Sequence, residues 1–113
     1  MGNYLIYDEK LQSELLQLPV GMLAKLLHYL ERIEIYGTNL GMPHTRAMGD
    51  GLFELRVKAE EGISRVFYCT VKGEKKGEKV VLLHYFIKKT NKTPVSDLRL
   101  AKIRMIEVKN ADS

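Results

Sequence analysis

Three runs of the chain decide how it folds: Gly-Leu-Phe-Glu-Leu-Arg-Val-Lys (51–58), Gly-Ile-Ser-Arg-Val-Phe-Tyr-Cys-Thr-Val (62–71) and Val-Val-Leu-Leu-His-Tyr-Phe-Ile (80–87). All three are rich in β-branched and aromatic residues, and the first two alternate. In the first, Leu52, Glu54, Arg56 and Lys58 share one side, while Phe53, Leu55 and Val57 take the other. In the second, Ile63, Arg65, Phe67 and Cys69 oppose Ser64, Val66, Tyr68 and Thr70. The third is apolar almost throughout, the pattern of a central strand covered on both faces. Ala59–Gly62 reads as a turn, and Lys72–Lys79, with its two glycines, as a charged hairpin tip.

Outward from these runs, helical spacing replaces alternation. Asn3–Tyr7 reads as a short first strand, and Asp8 can cap the helix that follows. Leu11, Leu15, Leu16 and Leu18 repeat at helical spacing until Pro19 stops them. A second helix is expected from Val20 to Tyr36, with Leu23, Leu26, Leu27, Leu30 and Ile33 as its stripe and Gly37 as its stop. Thr38–Gly51, carrying Gly41, Pro43, Gly49 and Gly51, reads as a connector.

Downstream, Lys88–Thr93 is a basic exit loop. Thr93 is placed to cap a closing helix with Pro94 at its first position, and Leu98, Ala101, Met105 and Val108 form that helix's stripe. The order β-α-α-β-β-β-α predicts an α+β domain spanning residues 1–113. Its mainly antiparallel twisted sheet is covered by an N-terminal helical hairpin and a C-terminal helix.

A length of 113 residues allows one core, and an apolar share of 45% with 28% charged residues argues against disorder. The net charge of +4 is unevenly spread. Residues 51–93 hold ten Lys/Arg against five Glu, and the remaining 70 residues hold eight against nine acidic groups. The basic excess thus belongs to the strand region, as expected of a sheet that meets a polyanion. A lone cysteine, Cys69, excludes a disulfide within one chain. No apolar run approaches the roughly 18 residues of a membrane span. No apolar leader follows the first residues, so a cytoplasmic setting is expected. His44 has no companion at ligand spacing, so neither metal nor other cofactor is assigned.

Cleaving RNA without a metal requires orienting a 2′-hydroxyl, moving two protons and neutralising charge on the phosphoryl group. Arg56, Lys58, Arg65, Lys88, Lys89 and Lys92 offer cationic groups for the phosphate, and Glu54, Tyr68, His84 and Tyr85 offer proton transfer. Tyr68 and Tyr85 can also stack on bases, and Arg46 can join the binding surface. Each has a plainer reading. Arg56 and Arg65 can pair with Glu54 and Glu61, His84 can be a satisfied core imidazole, and the tyrosines can pack. Lys88 and Lys89 point to opposite faces if the strand continues. Composition alone supports no more than a basic binding module.

The segments Leu52–Arg56, Ser64–Tyr68 and Leu83–Thr90, with the connector Leu40–Thr45 and Lys92-Thr93-Pro94, resemble the RelE/ParE toxin superfamily, within it the phage-related HigB-like branch. The resemblance covers about residues 3–108. It implies the toxin of a type II toxin–antitoxin pair, an endoribonuclease that cuts mRNA on the ribosome and is silenced by an antitoxin, often a HigA-like helix-turn-helix protein. By position it implies phosphate contact by Arg65, with Arg56, Lys58, Lys88 and Lys89 as further cationic groups. Glu54 replaces a base expected from RelE itself, and no tyrosine of the closing helix matches RelE's catalytic one. The superfamily also contains ParE-like gyrase poisons without nuclease activity, which is the alternative reading.

Overall fold

The computed structural model describes residues 4–72, 78–89 and 92–112. Its elements are β1 (Tyr4–Ile6), α1 (Glu9–Leu16), α2 (Val20–Tyr36), β2 (Thr45–Gly49), β3 (Leu52–Ala59), β4 (Gly62–Lys72), β5 (Glu78–Ile87) and α3 (Val95–Asp112). The expected strand start at Asn3, the hairpin tip at 73–77, Thr90 and Asn91 of the exit loop, and Ser113 lie outside the described residues.

The strands form one sheet in the order β1-β5-β4-β3-β2, with β1 parallel to β5 and the other pairs antiparallel. Alternation splits its side chains between two cores. Leu55, Val57, Val66, Tyr68, Val80 and Leu82 pack under α1 and α2. Leu52, Phe67, Cys69, Val81 and Leu83 pack under Ala101 and Met105 of α3. The expected α+β architecture, helical hairpin on one face and closing helix on the other, is what the chain adopts.

The helix signals translate directly into geometry. The Asp8 carboxylate accepts from the Leu11 amide at 2.8 Å, and Gly37, at φ 109°, ends α2. The buried line of α2 is Met22, Leu26, Leu30 and Ile33, whereas Leu27 is 46% exposed. The stripe is thus rotated from the leucine-only reading, because the unbranched Met22 fills a core position.

Two local expectations change. The connector Thr38–Gly51 contains β2, whose Arg46 lies opposite Glu54. Its glycines and proline mark the ends of this short strand, not a loop throughout. The Thr45 hydroxyl accepts from the Gly41 amide at 2.8 Å and donates to Asn39 Oδ1 at 2.7 Å, which pins the strand's start. At the other end Gly49, Asp50 and Gly51 all take positive φ, the backbone that a tight turn into β3 requires. In α3 the first i to i+4 bond runs from the Leu98 amide to the Pro94 carbonyl at 3.1 Å, so Pro94, not Thr93, flanks the helix. Thr93 bonds elsewhere, as described below.

Candidate functional site

The α3 face of β3, β4 and β5 is a grid whose rows follow from the register. Glu54 lies opposite Phe67, which lies opposite His84. Two residues along each strand, Arg56 lies opposite Arg65, and Arg65 opposite Phe86. One step further come Lys58, opposite Ile63, and Lys88, whose amide donates to the Ile63 carbonyl at 2.8 Å. Strands stand about 4.8 Å apart and same-face residues about 6.8 Å apart along a strand, so the grid is of nucleotide size.

Glu54 is 3% exposed. Such a carboxylate is costly to bury unless it is compensated, and the chain surrounds it. Arg65 Nη1 donates to Oε1 at 2.6 Å, and the Thr93 hydroxyl donates to Oε2 at 3.0 Å. Arg46 Nη2 lies 3.6 Å from Oε1 and donates to Thr93 Oγ1 at 3.3 Å. The Nε–H groups of Arg56 and Arg65 are buried and bonded to no protein atom. Donors in that state cost free energy until an acceptor reaches them.

Lys88 is half-buried beside this pair. Its pKa is lowered from the usual lysine value, first by desolvation and then by Arg65 and Arg56, with Glu54 acting in the opposite sense. His84 Nε2 meets Asp97 Oδ1, in the first turn of α3, at 2.6 Å. Its ring lies nearly parallel to that of Phe67, with centroids 6.4 Å apart. Beside the grid, a cavity of about 600 Å³ opens between α2 and the edge of β3, lined by Lys25, Tyr29, His44, Arg56 and Lys58 among others.

The structure thus brings together Arg56, Arg65, Lys88, His84 and Arg46, with the exposed Lys58 on the next row. Lys89 is exposed and takes no part in the Glu54 network. Lys92 is exposed close to Thr93 in sequence. Tyr68 and Tyr85 belong to the opposite face. Tyr68 is fully buried, donates its hydroxyl to the Thr38 carbonyl at 2.6 Å, and has its pKa raised by desolvation. Tyr85 packs against the α1/α2 core, where burial likewise raises its pKa. Both tyrosines are packing residues here: alternation along β4 turns Tyr68 away from the cations, and in β5 an irregularity in the register at Leu83 turns Tyr85 the same way. Cross-strand pairing of Arg65 with Glu54 is as the plainer reading had it, whereas Glu61 lies against Gly21 of α2. Sequence reasoning missed Thr93 as a bridge and Asp97 as the partner of His84. A polar residue after the basic loop and an acid in the first helical turn were the available signals.

A helical hairpin and a lone helix flanking a five-stranded mixed sheet is the architecture of a RelE-like α+β protein. Residues 13–106 match the phage-derived Gp49-like protein family (DUF891), and the chain belongs to that family, one of RelE-like toxins. Membership implies an antitoxin partner. No curated protein matches the chain. Among the described residues no helix is long and apolar enough to cross a membrane, and no three His, Cys, Asp or Glu cluster as a metal site would need.

Proposed function

We propose that this chain is the toxin of a type II toxin–antitoxin pair of the HigB-like branch, a ribosome-dependent mRNA endoribonuclease acting in the cytoplasm. The observation that carries the reading is the convergence of Arg56, Arg65 and Lys88 beside a buried carboxylate and an Asp-paired imidazole on one face of the sheet.

The guanidinium pair supplies positive charge and N–H donors for the scissile phosphate. Glu54, held by Arg65 and Thr93, fixes the Arg65 guanidinium, and the 2′-hydroxyl of the RNA loses its proton to water as its oxygen bonds to phosphorus. The bond to the 5′-oxygen breaks, and that oxygen takes a proton from His84, whose imidazole Asp97 orients. The products are a 2′,3′-cyclic phosphate and a 5′-hydroxyl. Lys88 adds positive charge where the transition state gains negative charge. Arg46, Lys58, Lys89 and Lys92 extend the cationic surface for flanking nucleotides, and the antitoxin, a HigA-like helix-turn-helix protein, silences the toxin.

Primer extension on cellular mRNA after induction tests this. Discrete cuts within translated frames are expected. Intact mRNA with a DNA-damage response sinks the nuclease reading in favour of a gyrase-directed toxin.

A further inference from the structure

The last strand changes sides halfway along. Val80 and Leu82 pack under α1 and α2, and Val81 and Leu83 under α3. Continued alternation would send His84, Phe86 and Lys88 to the α1/α2 face. Instead Tyr85 lies there, Phe86 packs under α3 and His84 pairs with Asp97 of α3. The register shows why: Tyr68 faces Leu82 while the preceding Phe67 faces His84, so Leu83 is an extra residue with no partner in the β4–β5 ladder. This β-bulge resets the alternation by one residue.

A bulge leaves backbone groups without ladder partners, and buried ones must find others. Here Arg104 of α3 donates from Nη1 to the Leu83 carbonyl at 2.8 Å. The same guanidinium rests 4.5 Å over the ring of Tyr7, whose hydroxyl donates to Glu107 Oε2 at 2.9 Å. The Tyr7 amide in turn donates to the Leu82 carbonyl at 2.8 Å. The segment after β1 and the middle of α3 therefore grip the bulge together, on residues that touch none of the cationic grid.

We propose that Arg104 is a positioning residue that holds the Leu83 bulge and so delivers His84 and Lys88 to the face carrying Arg56 and Arg65. Its role in RNA cleavage rests on the function proposed above; its role in placing Lys88 does not. Arg104 acts through backbone geometry, since it donates to a main-chain carbonyl.

The test follows the Lys88 side chain by NMR, together with RNA cleavage, in the full chain. Arg65 on β4, and Arg56 and Glu54 on β3, are the charges that set the Lys88 titration. In the wild type Lys88 is expected to titrate below the ordinary lysine value. In Arg104→Ala it is expected to shift upward as the guanidinium neighbours are lost, and Arg104→Lys, which still offers a donor, is expected to restore most of the wild-type behaviour. Cleavage by Arg104→Ala is expected to fall on the order of a hundredfold in kcat, the usual cost of displacing a catalytic group by about 1 Å. Tyr7→Leu, which removes the ring under the guanidinium together with its hydroxyl bond to Glu107 but leaves Arg104 in place, serves if Arg104→Ala does not fold, and should move Lys88 the same way by less.

A folded Arg104→Ala, or failing that a folded Tyr7→Leu, with an unchanged Lys88 titration overturns the proposal. A shifted Lys88 in a protein whose wild type cuts no RNA keeps the positioning role and removes the nuclease.

Discussion

Arg65→Ala removes the proposed phosphate donor and, in the same stroke, the closest counter-charge of a carboxylate that is 3% exposed. Breaking a buried pair from one side costs about 3 kcal/mol, so loss of toxicity in that variant mixes chemistry with stability. Thr93 and Arg46 still hold Glu54, and the fold should survive at a lower denaturation midpoint. Arg65→Ala combined with Glu54→Gln should recover part of that midpoint and none of the cleavage. Recovery of cleavage would contradict the catalytic assignment. Lys88 is expected to behave in the opposite way. Its folded pKa lies below the unfolded value of 10.5, so its charge is carried at a cost that is relieved as pH rises from the lowered value towards 10.5. Lys88→Met should therefore melt at a higher temperature than the wild type at pH 7 while cleaving RNA poorly, and that advantage should shrink as the pH approaches 10.5. A destabilised Lys88→Met would mean that the ammonium serves the fold and not a ligand.

Element by element, most of the architecture was legible because its signals are local. Asp8, Pro19, Gly37 and Pro94 punctuate the helices through backbone hydrogen bonding and fixed dihedrals, which do not depend on distant residues. Asp8→Ala should lower stability by about 1 kcal/mol through the lost cap of α1, measurable by urea denaturation. The alternation that put Arg56 and Arg65 on one face was equally readable, and the register sets them opposite each other. What stayed hidden depends on pairing partners. β2 was masked because a five-residue edge strand flanked by glycines carries too little pattern of its own. The bulge at Leu83 was invisible because an apolar run reads alike with or without an extra residue, so the faces of His84 and Tyr85 could not be assigned. Tyr68 looked like a base-stacking group for the same reason that it is core: an aromatic on a strand is told apart only by which face is covered.

For the molecule as a whole, Cys69 is a reporter. The thiol is fully buried between β4 and α3, and burial pushes its pKa up to about 11. A disulfide reagent at pH 8 should label it only when the protein opens globally, so the labelling rate should track the unfolding rate across variants; rapid labelling of native protein would show that α3 lifts on its own. The raised value also has a sign. The contribution of Cys69 to stability is complete below the unfolded pKa near 9.0 and is lost as pH climbs through about 11. A last consequence comes from the parallel edge. Tyr4 hydrogen-bonds beside Val80, so the first strand cannot settle until nearly the whole chain exists. Pairings between such distant residues slow folding. A newly synthesised molecule therefore completes its sheet only after β5 has been made, and that delay gives an antitoxin time to meet the chain before it is fully folded.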